Sequence, residues 1–265
     1  MKIGFIAEND LARLEADARF CADQGLNGLE FNHWGGFSEL TVEYIEAARA
    51  VLDKYRIECS SLGLWGWNHT STDEAERAAA LAQFDRLVDF GGRLGAKVLI
   101  TGGGNRPGAG LAANVDAFEQ YIAPYLPRIS AGGHKLALYA VHGNTFTDSP
   151  EAYTALWQRF PEVGIKCDPA NLHHAGWDYI EFLWRHGGRI THMHIKEHLY
   201  HAGALIAQPA AGMGSIHWGQ VFCFLHEHCY QGYLVIEPHG ERWTRDDLRY
   251  RGVTLSTRYI EQFLT

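Results

Sequence analysis

The chain has 265 residues, 46% of them hydrophobic, and carries 23 Lys and Arg against 31 Asp and Glu, a formal charge of −8. The apolar content excludes a disordered chain, and the acidic balance argues against a nucleic-acid partner, whose phosphates it would repel. No run approaches the ~20 apolar residues that a membrane helix needs. From the N-terminus, short apolar runs predict strands at Lys2–Ala7, Gly28–Asn32, Ile57–Trp65, Lys97–Thr101, Lys135–Val141, Val163–Asp168, Arg189–Lys196 and Tyr233–Pro238. Amphipathic stretches between them predict helices over 9–24, 38–54, 73–93, 111–131, 149–160, 177–187, 218–230 and 245–263. Glycines just past several of these helices, such as Gly25, Gly95 and Gly133, suit positive φ.

Eight strand–helix alternations favour a parallel sheet closed into a barrel. The length suits one (β/α)8 domain over 1–265, since such barrels run to about 250 residues. The longest connection, 197–216, is read as a loop; loops of that length are usually functional. The opening MKIGFIAEND is a strand rather than a signal peptide. Cys21, Cys59, Cys167, Cys223 and Cys229 form no CxxC pair and read as reduced, mostly buried thiols of a cytoplasmic protein.

In a parallel barrel the chemistry collects where strands end. Strand two ends in Glu30-Phe31-Asn32-His33-Trp34, and strand three runs out through Trp65, Trp67, Asn68 and His69. Strand five ends in His142-Gly143-Asn144, and strand six in Asp168-Pro169-Ala170-Asn171. Strand seven carries His192, His194, Lys196 and Glu197, and strand eight ends in Glu237-Pro238-His239. Any one of these can be a cap or a satisfied core residue. Carboxylates and imidazoles emerging from strands six, seven and eight in turn are harder to explain that way, because carboxylates near a barrel axis need a partner or a metal. Asp168, His194 and Glu237 make a mixed oxygen and nitrogen set that suits Mn²⁺, Mg²⁺, Co²⁺ or Zn²⁺. His192, His194 and Lys196 share one strand face. His194 reads as the ligand and His192 as a deeper partner or substrate contact, and Lys196 is placed to balance an oxyanion or pair with Glu197 or Glu237.

At these residues the sequence resembles the xylose isomerase-like barrel superfamily of sugar and sugar-phosphate isomerases and epimerases. Asp168-Pro169-Ala170-Asn171 is similar to the Asp-Pro-Gly/Ala-Asn/His signature after strand six, and His192-Met193-His194-Ile195-Lys196-Glu197 to the His-x-His-x-Lys-Asp/Glu strand. Gly212-Met213-Gly214-Ser215-Ile216-His217-Trp218 resembles the Gly-x-Gly-x-Ile/Val-Asp-Trp segment, with His217 in place of Asp. Tyr230 to Pro238 resembles the Gly-Tyr-x-Gly-x-x-x-Ile-Glu-Pro ending, with Cys229 in place of the first Gly. The resemblance covers nearly the whole chain and implies Asp168, His194 and Glu237 as ligands, with Mn²⁺ as the first metal to expect. The family's fourth ligand, a Glu in Leu-Glu-x-His-Gly, aligns with Ala140 of Leu138-Tyr139-Ala140-Val141-His142-Gly143. Three readings of Ala140 stand: an engineered silencing of a catalytic Glu, a natural variant in which His142 is the ligand, or a weakened metal site.

The implied chemistry is proton transfer next to a metal-polarised carbonyl through an enediolate. Glu237 and His142 are the candidate bases, and Lys196 is the cation beside them. Trp34, Trp65 and Trp67 offer aromatic surface for a sugar or an aglycone, with His69, Asn171 and His192 as further substrate contacts. Gly102-Gly103-Gly104-Asn105-Arg106 is a weak phosphate cradle, so an unphosphorylated sugar is expected. Three classes remain: a sugar isomerase or epimerase, a lyase or deglycosidase acting on an oxidised sugar, and a non-catalytic sugar-binding barrel. A DNA-repair endonuclease fits poorly, because no Asp-x-His follows His194. Barrels of this kind often form dimers or tetramers, and nothing in the sequence marks an interface.

Overall fold

The computed structural model describes residues 1–33 and 36–264; Trp34 lies outside them. The strands are β1 (Lys2–Ile6), β2 (Gly28–Asn32), β3 (Glu58–Gly63), β4 (Val98–Thr101), β5 (Lys135–Tyr139), β6 (Gly164–Cys167), β7 (Ile190–Ile195), β8 (Leu199–His201), β9 (Ala204–Ala207) and β10 (Tyr233–Ile236). All but β8 and β9 close into a parallel barrel in the order β1-β10-β7-β6-β5-β4-β3-β2. The single (β/α)8 barrel expected from the alternation is the fold observed.

The long helices follow the predicted spans: α1 (Leu11–Asp23), α2 (Val42–Tyr55) and α3 (Glu74–Leu94). Asp10, Thr41 and Asp73 start them by accepting backbone N–H bonds, as short polar side chains do at helix N-termini. The predicted 111–131 helix is broken into α4 (Gly110–Tyr121) and α5 (Leu126–Ala131) by a 3₁₀ turn at Ala123–Tyr125. Pro124 lacks the N–H that would continue the α-helical ladder. After α6 (Pro150–Arg159) comes a short helix missed in the sequence, α7 (Pro169–His174), before α8 (Tyr179–His186), α9 (Trp218–Glu227), α10 (Gly240–Trp243) and α11 (Asp246–Glu261).

Strand alternation divides the core. Outward residues such as Leu29, Leu62, Leu99, Leu138, Ile165, Met193 and Leu234 pack under the helices in one cluster. Trp65, Val98, Ile100, Ala137 and Tyr139 form a separate cluster inside the barrel. Barrel closure is reinforced from outside by Arg249 on α11, which grips Asp17 on α1 with two bonds of 2.6 and 2.9 Å and also reaches the Ile6 carbonyl. Cys21, Cys59 and Cys167 are buried free thiols, whereas Cys223 and Cys229 are exposed.

The connection 197–216 is not a plain loop. Strands β8 and β9 form an antiparallel hairpin within it, turning through Ala202 and Gly203, both at positive φ. Two successive positive φ values match the twist of a tight hairpin. Beneath the hairpin, Glu197 is 2% exposed. It accepts hydrogen bonds from the N–H groups of His198, Gly212 and Ile216 and from the Trp218 indole. A Cβ on Gly214 would lie 2.5 Å from Glu197 Oε1. The Gly-Met-Gly-Ser-Ile-His-Trp motif therefore wraps one buried carboxylate.

Candidate metal centre and cavity

At the C-terminal mouth of the barrel, β6, β7 and β10 deliver polar side chains on the inward strand phase. Asp168 follows β6 and is also the N-cap of α7, where its Oδ1 accepts the Asn171 N–H at 3.0 Å. Pro169 at the first helical position fits because its missing N–H would have had no partner there. His194 sits on β7 and Glu237 immediately after β10. His194 Nδ1 lies 2.7 Å from Glu237 Oε2 and 3.8 Å from Asp168 Oδ2. These three form one of two groups among the described residues whose donor atoms lie within 4.8 Å of one another; the other is Glu30, His192 and His194.

Glu30 lies on β2, where the sequence alone assigns it no role. It is 1% exposed and accepts from His192 Nε2 at 2.6 Å, from His194 Nε2 at 3.0 Å and from Ser61 at 2.7 Å. Burial alone would push its carboxyl up, but the positive charge of His194 and the hydrogen bonds from His192 and His194 hold it far below the usual range. For His194, burial pulls the other way, and the Glu30 charge with the Glu237 hydrogen bond raises it. His192 is pushed down by burial. It is fully enclosed, bonded to Glu30, and is not among the residues that line the cavity described below.

Lys196 Nζ is 3.2 Å from Glu237 Oε1, and His239 Nδ1 is 3.1 Å from the same oxygen. Burial would raise the Glu237 carboxyl, yet Lys196 and the hydrogen bond from His194 hold it well below its ordinary value. Lys196 thus pairs with Glu237, while Glu197 is held by the segment from Gly212 to Trp218.

A cavity of about 370 Å³ opens above these groups, within the usual size of small-molecule sites. Trp65, His142 and Asn171 line it, together with Lys166, His198 and Gln208. Asn171 Nδ2 bonds Asp168 Oδ2 at 2.8 Å and meets His142 Nε2 at 3.4 Å. His142 stands edge-on to Trp65 and Tyr139. Burial, then the nearby Lys166 charge, lowers it to about 4, so its imidazole is neutral near neutral pH. It belongs to neither donor group among the described residues and lines the wall of the cavity. The hairpin roofs the cavity: Leu205 lines it, and Tyr200 reaches His174 at 2.7 Å.

Three expected positions fall elsewhere. Ala140 packs in the outer cluster, whereas Tyr139 faces the barrel interior and stacks on Trp65 at 4.5 Å. The inward position at the end of β5 therefore holds a phenol, and Ala140 does not mark a lost inward carboxylate. His69 is fully buried under α3, between the Ala80 carbonyl and Thr101, because the chain after β3 folds back over β4. Trp67 packs on the outer core. Tyr139 takes one face of Trp65, which leaves that indole to shape the wall more than to offer a stacking platform.

The sequence profile described as xylose isomerase-like TIM barrel matches residues 18–252. The chain belongs to this family. No curated protein matches the sequence. Among solved structures it is similar to a 3-keto-D-glucoside 4-epimerase, YcjR, from E. coli, at 17% identity and TM-score 0.76, over 98% of this chain and 99% of that one. It is also similar to a D-allulose 3-epimerase from Methylomonas sp., at 17% identity and TM-score 0.75, over 99% and 96%. IolI protein with a bound zinc atom matches at 18% identity and TM-score 0.77, over 99% and 98%. Within this family, then, the chain shares the barrel of sugar epimerases. No helix among the described residues is long and apolar enough to cross a membrane.

Proposed function

We propose that the protein is a sugar isomerase or epimerase acting next to a carbonyl, with a divalent ion held by Asp168, His194 and Glu237. The observation that carries this reading is the convergence of those three donors, two of which, His194 and Glu237, line a cavity at the C-terminal face. The donor set fits the ion. His194 presents Nδ1 to the two carboxylates and Nε2 to Glu30, and a ligating histidine normally donates its other N–H to a carboxylate. Three protein ligands also leave positions for substrate. Mn²⁺ is the first candidate, with Mg²⁺, Co²⁺ and Zn²⁺ behind it. When bound, such an ion polarises a carbonyl and acidifies the neighbouring C–H.

The chain's own groups supply the rest. Glu237 stays ionised beside Lys196 and takes the proton from carbon. The Lys196 ammonium faces the oxyanion that develops. His142, neutral and hydrogen-bonded to Asn171, is the proton partner across the cavity. Trp65 and Leu205 exclude water.

A second reading is elimination from an oxidised sugar or glycoside. What favours it is Tyr139: with a phenol at the inward end of β5, Glu237 has no second glutamate across from it, and one base with a neutral imidazole suits release of a leaving group. The test is incubation of the manganese-loaded protein with ketohexoses and 3-keto-glycosides in D₂O. Deuterium appearing beside the carbonyl of an epimer, lost in Glu237→Gln, supports the first reading. Release of a second molecule supports the other, and neither product with any metal rejects both.

A further inference from the structure

The strand Gly164–Cys167 is apolar except for Lys166, and alternation puts Lys166 on the same inward face as Asp168. Its side chain is 3% exposed. Nζ lies 3.2 Å from Asp168 Oδ2 and 5.6 Å from the centre of the Trp65 ring, and on the neighbouring strand its register partner is Tyr139. A lysine is almost never enclosed in this way without a dedicated counter-charge. Here that counter-charge is a carboxylate already assigned to the metal.

Asp168 Oδ2 is the oxygen that faces His194 Nδ1, at 3.8 Å, and it is the one that Lys166 contacts. We propose that Lys166 is a resident cation of the site that occupies Asp168 and thereby weakens its affinity for a divalent ion. An ion between Asp168, His194 and Glu237 meets an ammonium across a shared oxygen, in surroundings that screen charge poorly. Without an ion, the buried carboxylates of Asp168 and Glu237 are each already faced by an ammonium, Lys166 and Lys196. An arriving ion must therefore compete with these ammonium groups, and Lys166 remains as a positive group against the wall of the cavity. Its place is that of a positioning residue acting through Asp168.

The inference rests on Asp168, His194 and Glu237 being the metal site, and the experiment separates the two. Mn²⁺ affinity is measured by titration calorimetry on the wild-type chain, Lys166→Met, Lys166→Gln and Lys166→Met with Asp168→Ala. The glutamine keeps a hydrogen bond for Asp168 and removes only the charge, so it carries the test if the methionine variant does not fold. The expected result is an affinity higher by about tenfold or more in both single variants, abolished when Asp168 is also removed. A mere loss of structure cannot produce that gain. Equal or weaker binding in the single variants, with measurable binding in the wild type, overturns the role of Lys166 alone. No Mn²⁺ binding in any form overturns the metal site together with it.

Discussion

Nε2 of His194 lies 3.0 Å from both carboxylate oxygens of Glu30, a residue 164 positions earlier in the chain. The contact spans the barrel from β2 to β7, and it fixes which ring nitrogen is left to face Asp168 and Glu237. Glu30→Gln should therefore keep the fold but lower metal affinity by roughly 10–100-fold. Calorimetric titration with Mn²⁺, beside circular dichroism, checks this.

Among the described residues, Glu237 is the carboxylate that pairs with Lys196. Glu237→Gln removes the proposed base, which is also a proposed ligand, while keeping the volume. Solvent deuterium exchange into a bound sugar should fall by about 10²–10⁴-fold, read by NMR on the metal-loaded protein.

Because Ala140 faces the helix layer and not the axis, Ala140→Glu should not create a metal ligand. It should bury an unpaired carboxyl in an apolar layer and cost about 3 kcal/mol or more. Urea unfolding measures the loss, and metal titration should show no gain.

Glu197 satisfies three backbone N–H groups and the Trp218 indole. Glu197→Ala leaves these donors buried without an acceptor, at about 1–3 kcal/mol each before relaxation. The expected outcome is a lower melting temperature and early proteolysis within 197–216.

Burial lowers His69 to about 4 from an ordinary 6.5. The unfolded chain takes up a proton near 6.5 and the folded one only near 4, so the stability this group contributes is full above 6.5 and falls away as pH drops to 4. Between pH 7.5 and pH 5 the loss should be about 2 kcal/mol. His69→Gln should flatten the urea-unfolding profile over that interval by a similar amount.

The barrel and the inward polar residues at its mouth are legible in the sequence for a physical reason. Polar residues that break apolar strands in alternate positions, such as His192, His194 and Lys196, can only point inward. The same rule marks Lys166, two residues before Asp168, although it lies inside its strand and not at the end. At β5, strand alternation puts Tyr139 inward, one residue before the Ala140 to which the motif points. The place of His69 is not legible, because the path of a loop is not encoded in periodicity. The hairpin at 199–207 was hidden because Ala202-Gly203 lacks the Asn-Gly or Asp-Gly signal that usually marks such a turn.

The grip of Arg249 on Asp17 joins helices near opposite ends of the chain, beside the pairing of β1 with β10. During synthesis, β1 must wait with one edge open until more than two hundred later residues have been made. That edge can pair with other strands in the meantime. The protein's most exposed moment is therefore its birth on the ribosome, when the first strand exists and its last neighbour does not.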